Sequence, residues 1–178
     1  MKNKKVIDSK WIITITLLAF VFSVVFSLLS ELIIPNTYIF VSVIVVLLVI
    51  LLGVLFDMIG VAITVAEEKA FNSMASKNIK RANLALKLIK NKDKVSSFCN
   101  DVIGDICGII SGSCGATISA ILIIKLKTNS IIPGLIITAI IAALTIGGKA
   151  IGKGIAIKKA NKIIDNFSKI LYPFVNKK

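Results

Sequence analysis

The sequence predicts an all-α integral membrane protein with four transmembrane helices and two juxtamembrane amphipathic helical segments. Three observations carry the prediction. Of 178 residues, 56% are hydrophobic and 17% charged, against about 45–50% and about 25% in ordinary soluble domains. The charges fall in blocks, and the stretches between them reach 18 or more apolar residues, enough to cross the ~30 Å hydrocarbon layer as a helix. Finally, 20 of the 22 basic residues lie on one side of the membrane if there are four spans.

The first span covers about 11–34, with Glu31 near its far end. Lys2, Lys4 and Lys5 precede it as they would a signal peptide, but the apolar run is too long for an h-region. No Ala-x-Ala type site follows it, so the segment reads as a retained span. Pro35 and Asn36 make a tight turn, and Tyr38 suits the membrane interface. The second span, about 39–66, is rich in Val and Ile. In lipid a lone strand leaves its backbone groups unsatisfied, so the run must be helical.

Residues 67–94 form the first charged segment. Phe71, Met74, Ala75, Ile79, Ala82, Leu86 and Ile89 recur at steps of three and four, an amphipathic helical pattern. A break after Ala75, at Ser76-Lys77-Asn78, suggests two short helices. The third span is about 95–124 and the fourth about 131–148, with Pro133 in a first turn that tolerates its missing N–H. The second basic amphipathic segment covers about 149–173. The bias of Lys and Arg places both termini and the 67–94 segment in the cytoplasm of a cell with these spans in its plasma membrane. The bilayer, with its anionic cytoplasmic leaflet, is the expected partner of the basic blocks. Because the charges flank apolar runs, nucleic acid is not expected as a partner.

Three acids fall within the spans. At about 1.5 Å rise per residue, Asp57 lies about 15 Å inward of Glu67, and Asp101 and Asp105 lie about 10 and 16 Å inward of Lys94. The two helices run in opposite directions, so the acids share one depth range. Carboxylates in hydrocarbon are costly and commonly face a bundle interior on an ion or proton path. They sit on stripes of small or polar residues: Gly53, Asp57, Gly60 and Thr64 in the second span, and Ser97, Asp101, Gly104, Gly108, Ser111, Gly115 and Ser119 in the third. With Asn100 beside the stripe and Thr145 in the fourth span, they make an oxygen-rich candidate metal set of Asp57, Asn100, Asp101, Asp105 and Thr145. Oxygen ligands suit Mg²⁺ or Ca²⁺, and the same carboxyls could bind Na⁺, cycle protons, or serve only as interhelical hydrogen-bonding groups.

Other chemistry has little support. Histidine is absent, and Cys99, Cys107 and Cys114 follow no metal or disulfide spacing. The Gly147–Gly154 stretch lacks the phosphate-loop arrangement. There is no nucleophile with a base, so no enzyme activity and no resident cofactor are expected.

From about 47 to 172 the chain resembles the transmembrane domain of the cyclin M / CorB–CorC family of magnesium transporters. LGVLFDMIGVAIT at 52–64 resembles the family's first helix, ANLALKLIKNKDKVSSFCNDVIGDI at 82–106 its juxtamembrane helix and second-helix start, and IGGKAIGKGIAIKKANKII at 146–164 its Gly-Glu-x-x-Pro-Lys element and basic helix. The first motif lacks the Ser-Glu pair, the glutamate position is Gly148, and the proline position is Gly152. Asn100, Gly147 and Lys153 match. The chain has an additional leading span and no room for CBS and CorC-type domains. The resemblance implies a homodimer that transports Mg²⁺ by alternating access, with Asp57, Asp101 and Asp105 in place of the missing ligands. The alternatives are an accessory membrane subunit that transports nothing, or a proton-coupled transporter of a small substrate.

Overall fold

In a computed structural model, residues 9–33, 38–125, 127 and 130–175 are described, and among them there is helix but no strand. The chain folds as α1 (Ser9–Ile33), α2 (Ile39–Val65), α3 (Glu68–Ser76), α4 (Lys80–Lys90), α5 (Lys92–Ser97), a π-helical stretch (Phe98–Gly104), α6 (Asp105–Lys125), α7 (Ile132–Lys158) and α8 (Ala160–Val175). Four helical runs are long and apolar enough to cross a membrane: Ile12–Ile33, Ile39–Val65, Lys92–Lys125 and Ile132–Lys158. The expected turn at Pro35 and Asn36 lies outside the described residues.

The centre of the bundle is α2, which packs on α6, α7, α8, α5 and the π-helical stretch. One face explains this. Ser42, Val46, Ile50, Gly53, Asp57 and Gly60 are all buried and follow one another at steps of three and four. Glycine lets the neighbouring backbones come close. A Cβ on Gly53 would lie 2.9 Å from Cys107 Cβ, and one on Gly152 would lie 2.8 Å from Met58 Cγ. The middle of the bundle closes around Val46, Ile50, Cys114 and Ile118. The outer faces of the long helices are apolar and exposed, as at Phe20, Leu47, Ile109 and Leu135.

The first helix stands at the edge. It packs on α6, and its buried Ser30 accepts a hydrogen bond from Cys114 Sγ at 3.2 Å while donating to Phe26 O at 2.8 Å.

At the charged end, the 67–94 segment holds two short helices, α3 and α4, and its last residues open the third long run, which begins at Lys92 with α5. The break expected near Ser76-Lys77-Asn78 is present, with Asn78 at φ 58°, a left-handed conformation that asparagine tolerates better than most residues. Phe71, Ala85, Ile89 and Ile164 pack with Ala62, Ile63 and Ala156 into a cluster that joins α3, α4 and α8 to the ends of α2 and α7. Arg81 Nε and Asp165 Oδ1, 2.8 Å apart, tie α4 to α8. The hydrogen bond and the carboxylate's charge hold the guanidinium further toward its charged form than usual.

The fourth span runs further than expected. Its helix passes through Gly147, Gly148, Gly152 and Gly154 without a break and ends at Lys158, so the second amphipathic segment is α8 alone. Contacts with α2 outweigh weak local propensity here: Gly148 meets Val54, and Gly152 meets Val54 and Met58.

Candidate functional site: a buried carboxyl facing two lysines

The long α7 decides the character of the site. Lys149 is nine residues before the end of α7, about 14 Å along the axis, and Asp57 is eight before the end of α2, about 12 Å. Both helices end at the same cluster, so the two charges fall at matching depth. Lys149 and Lys153, four residues apart, share one face of α7.

Asp57 is 3% exposed. Its Oδ2 is buried without a hydrogen-bond partner and lies 3.7 Å from Lys153 Nζ, an ion contact just beyond hydrogen-bond reach. Lys149 Nζ donates to Gly104 O at 3.3 Å and lies 3.6 Å from Asp105 Oδ1. Asp57 and Asp105 are thus each matched with an ammonium. Lys153 is half exposed, so its head can reach solvent, whereas Lys149 is mostly enclosed.

Asn100 faces Gly60 on α2, one turn along from Asp57, and sits where a Cβ on Gly60 would be. Its Nδ2 donates to Ser96 Oγ at 3.4 Å, while its Oδ1 is buried with no partner. The seam between α2 and the π-helical stretch therefore holds two unsatisfied oxygen acceptors. Unpaired buried polar atoms are uncommon in folded proteins and call for an explanation.

The π-helical stretch controls which residues reach this seam. An α-helical count puts Asp101 on the stripe with Gly104 and Gly108. The wider turns through Phe98–Gly104 set Asn100 against Gly60 and leave Asp101 exposed, accepting a 2.6 Å hydrogen bond from Ser97 Oγ. π-Helical turns of this kind often mark functional positions.

The five candidate ligands therefore divide. Asp57 and Asn100 each place a buried oxygen at the seam between α2 and the π-helical stretch, Asp57 near Gly104 and Asn100 against Gly60. Asp105 is exposed and joins it only through Lys149. Asp101 lies outside. Thr145 donates to Ile141 O at 2.8 Å and borders a separate cavity of about 210 Å³ between α6 and α7, with Gly108, Ser111, Gly112 and Thr138. Among the described residues, no three Cys, Asp or Glu side chains come together as a metal-holding group.

The candidate set read from the sequence omits Lys149 and Lys153, because Lys149 reads as the start of the basic tail and Lys153 enters only as a match to the resembled element. Their spacing of four, combined with a helix reaching Lys158, is the signal that would have found them.

No family model matches the chain, and no curated protein and no solved structure matches it.

Proposed function

We propose that this chain is an integral membrane cation transporter, with Mg²⁺ as its leading cargo. In this reading Asp57 and Asn100 are the cargo-binding oxygens and Lys153 is a tethered counter-cation that the cargo displaces. The observation that carries it is the pair of buried oxygens without a hydrogen bond, Asp57 Oδ2 and Asn100 Oδ1, with a half-exposed ammonium 3.7 Å from the first.

The chemistry follows from charge. Asp57, Asp105, Lys149 and Lys153 sum to zero, so an incoming divalent cation meets a neutral site. It is held only if positive charge leaves, and Lys153 can swing its head to water along its flexible stem. Asp57 Oδ2, Asn100 Oδ1 and Gly104 O then offer oxygen, and waters complete the shell, as Mg²⁺ prefers. When the cation departs, Lys153 returns and the carboxyl is not left unpaired. Binding stays weak enough for release because the ammonium competes for the same place.

In this reading the charged ends carried by α3, α4 and α8 are cytoplasmic, as are both termini. The homodimer implied by the resemblance covers the outer face of the π-helical stretch and the start of α6, where Asp101 and Asp105 are exposed.

Mg²⁺ flux into proteoliposomes tests the proposal. The native chain is expected to pass the ion, and Asp57→Asn to pass at most about a tenth as much, a loss corresponding to about 1.4 kcal/mol. Equal flux through both would end the carboxyl's assigned role.

One observation favours a second reading. Both acids near α7 already have lysine partners, as in an interhelical ion-pair lock within an accessory subunit. In that case Asp57→Asn and Lys153→Gln would each lower stability, and no cation would alter the melting of the native chain.

A further inference from the structure

Where α7 turns into α8, a depression of about 420 Å³ opens at the end of the bundle. That is within the range of about 300–1,000 Å³ usual for small-molecule sites. Its wall carries Lys158, Lys159 and Lys162, and one acid, Glu67. Three ammonium groups against one carboxylate leave the rim with an excess of two positive charges. No ion pair engages these three lysines among the described residues. The wall is also held in place: Glu67 N–H donates to Asn161 Oδ1 at 3.0 Å, pinning the α2–α3 junction to the first turn of α8.

The other side of the depression is apolar. Val65, the last residue of α2, and Ile157, in the last turn of α7, both line it and both are exposed. On α7, Ile151, Ile155 and Lys158 follow at steps of four and three and so share one face. Ile151 and Ile155 are exposed too. An apolar ridge on a span-length helix thus ends in an ammonium beside a basic hollow. A soluble phosphate has no use for the ridge, and an uncharged lipid has no use for the lysines.

We infer that this hollow is a binding site for the phosphate headgroup of an anionic phospholipid, with an acyl chain lying along Ile151 and Ile155. The inference rests on α2 and α7 spanning a membrane and does not depend on cation transport. Beyond general attraction of basic residues to an anionic leaflet, it assigns a bounded site, so position and not just charge determines binding.

The test uses the full-length protein in phosphatidylcholine–detergent micelles titrated with phosphatidylglycerol, with bound lipid read by native mass spectrometry. The native chain is expected to retain phosphatidylglycerol over phosphatidylcholine. Changing Lys158, Lys159 and Lys162 together to Gln is expected to weaken that retention at least about tenfold. Changing Lys69, Lys77 and Lys90 to Gln removes the same charge away from the hollow and is expected to leave it nearly unchanged. Lys158→Gln alone, the milder variant, is expected to give a partial loss. No preference in the native chain, or equal losses in the two triple variants, would overturn the site. Displacement of the lipid by glycerol phosphate at comparable concentration would overturn the lipid as its occupant in favour of a soluble phosphate.

Discussion

At Asp57 two physical terms oppose each other. Burial makes a lone carboxylate costly, and an ammonium at 3.7 Å offsets that cost without a hydrogen bond to complete the pairing. The two partners are therefore expected to respond in opposite ways to a cation. Asp57→Asn removes the charge that holds it, whereas Lys153→Gln removes its competitor. Cation titrations of both variants should show binding lost in the first and tightened in the second. Without cation, Lys153→Gln leaves a buried group unsatisfied and should lower stability by about 1–3 kcal/mol. Gly60 is equally exacting. An added Cβ would overlap Asn100, so Gly60→Ala should cost about 1–3 kcal/mol through overpacking, measured as unfolding in detergent. Gly112→Ala is the control, because nothing lies within 4 Å of the Cβ position there, and its melting should hardly move. The burial of Asp57 beside Gly53 and Gly60 was legible from their spacing. The lysine partners were not, since residue type alone does not say how far a glycine-rich helix continues.

Among the elements, α7 and the π-helical stretch show what local pattern conceals. Glycines at 147, 148, 152 and 154 look like an exit from the membrane, but packing against Val54 and Met58 keeps the helix intact to Lys158. The π-helical turns leave no sequence mark, because apolar periodicity is read on an assumed 3.6-residue repeat. That assumption misplaces Asp101 and underrates Asn100. The short helices were easier to read. Amphipathic steps placed Phe71 and Ile89 inward, and both are buried. Phe71 is 1% exposed and joins α3 to the end of the bundle. Phe71→Ala should cost about 3–5 kcal/mol in an unfolding titration, provided α3, α4 and α8 unfold with the long helices. Loss of only a local signal, with the spans melting as before, would show the charged end to be an independent unit.

For the whole molecule, α2 is the shared partner of nearly every other element, and the site lies where α2, α7 and the π-helical turns meet. Four apolar runs and clustered charge were enough to read this architecture, because lipid leaves so few ways to satisfy a backbone. The peripheral place of α1 was not readable: an apolar run does not say which helix it packs on, and here it packs on α6, with Cys114 donating to Ser30. In the proposed function this arrangement holds a displaceable charge at a cation site. The most direct measurement is the melting of the purified chain against Mg²⁺ at fixed ionic strength, with Na⁺ and Ca²⁺ alongside, for the native protein, Asp57→Asn and Lys153→Gln. A saturable site gains about 2.7 kcal/mol of stability when ligand reaches about one hundred times its dissociation constant. Saturable stabilisation by Mg²⁺ is expected in the native protein, at lower concentration in Lys153→Gln, and none in Asp57→Asn. Melting that ignores every cation in all three proteins would contradict it and leave the lysine–aspartate pairs as a structural lock.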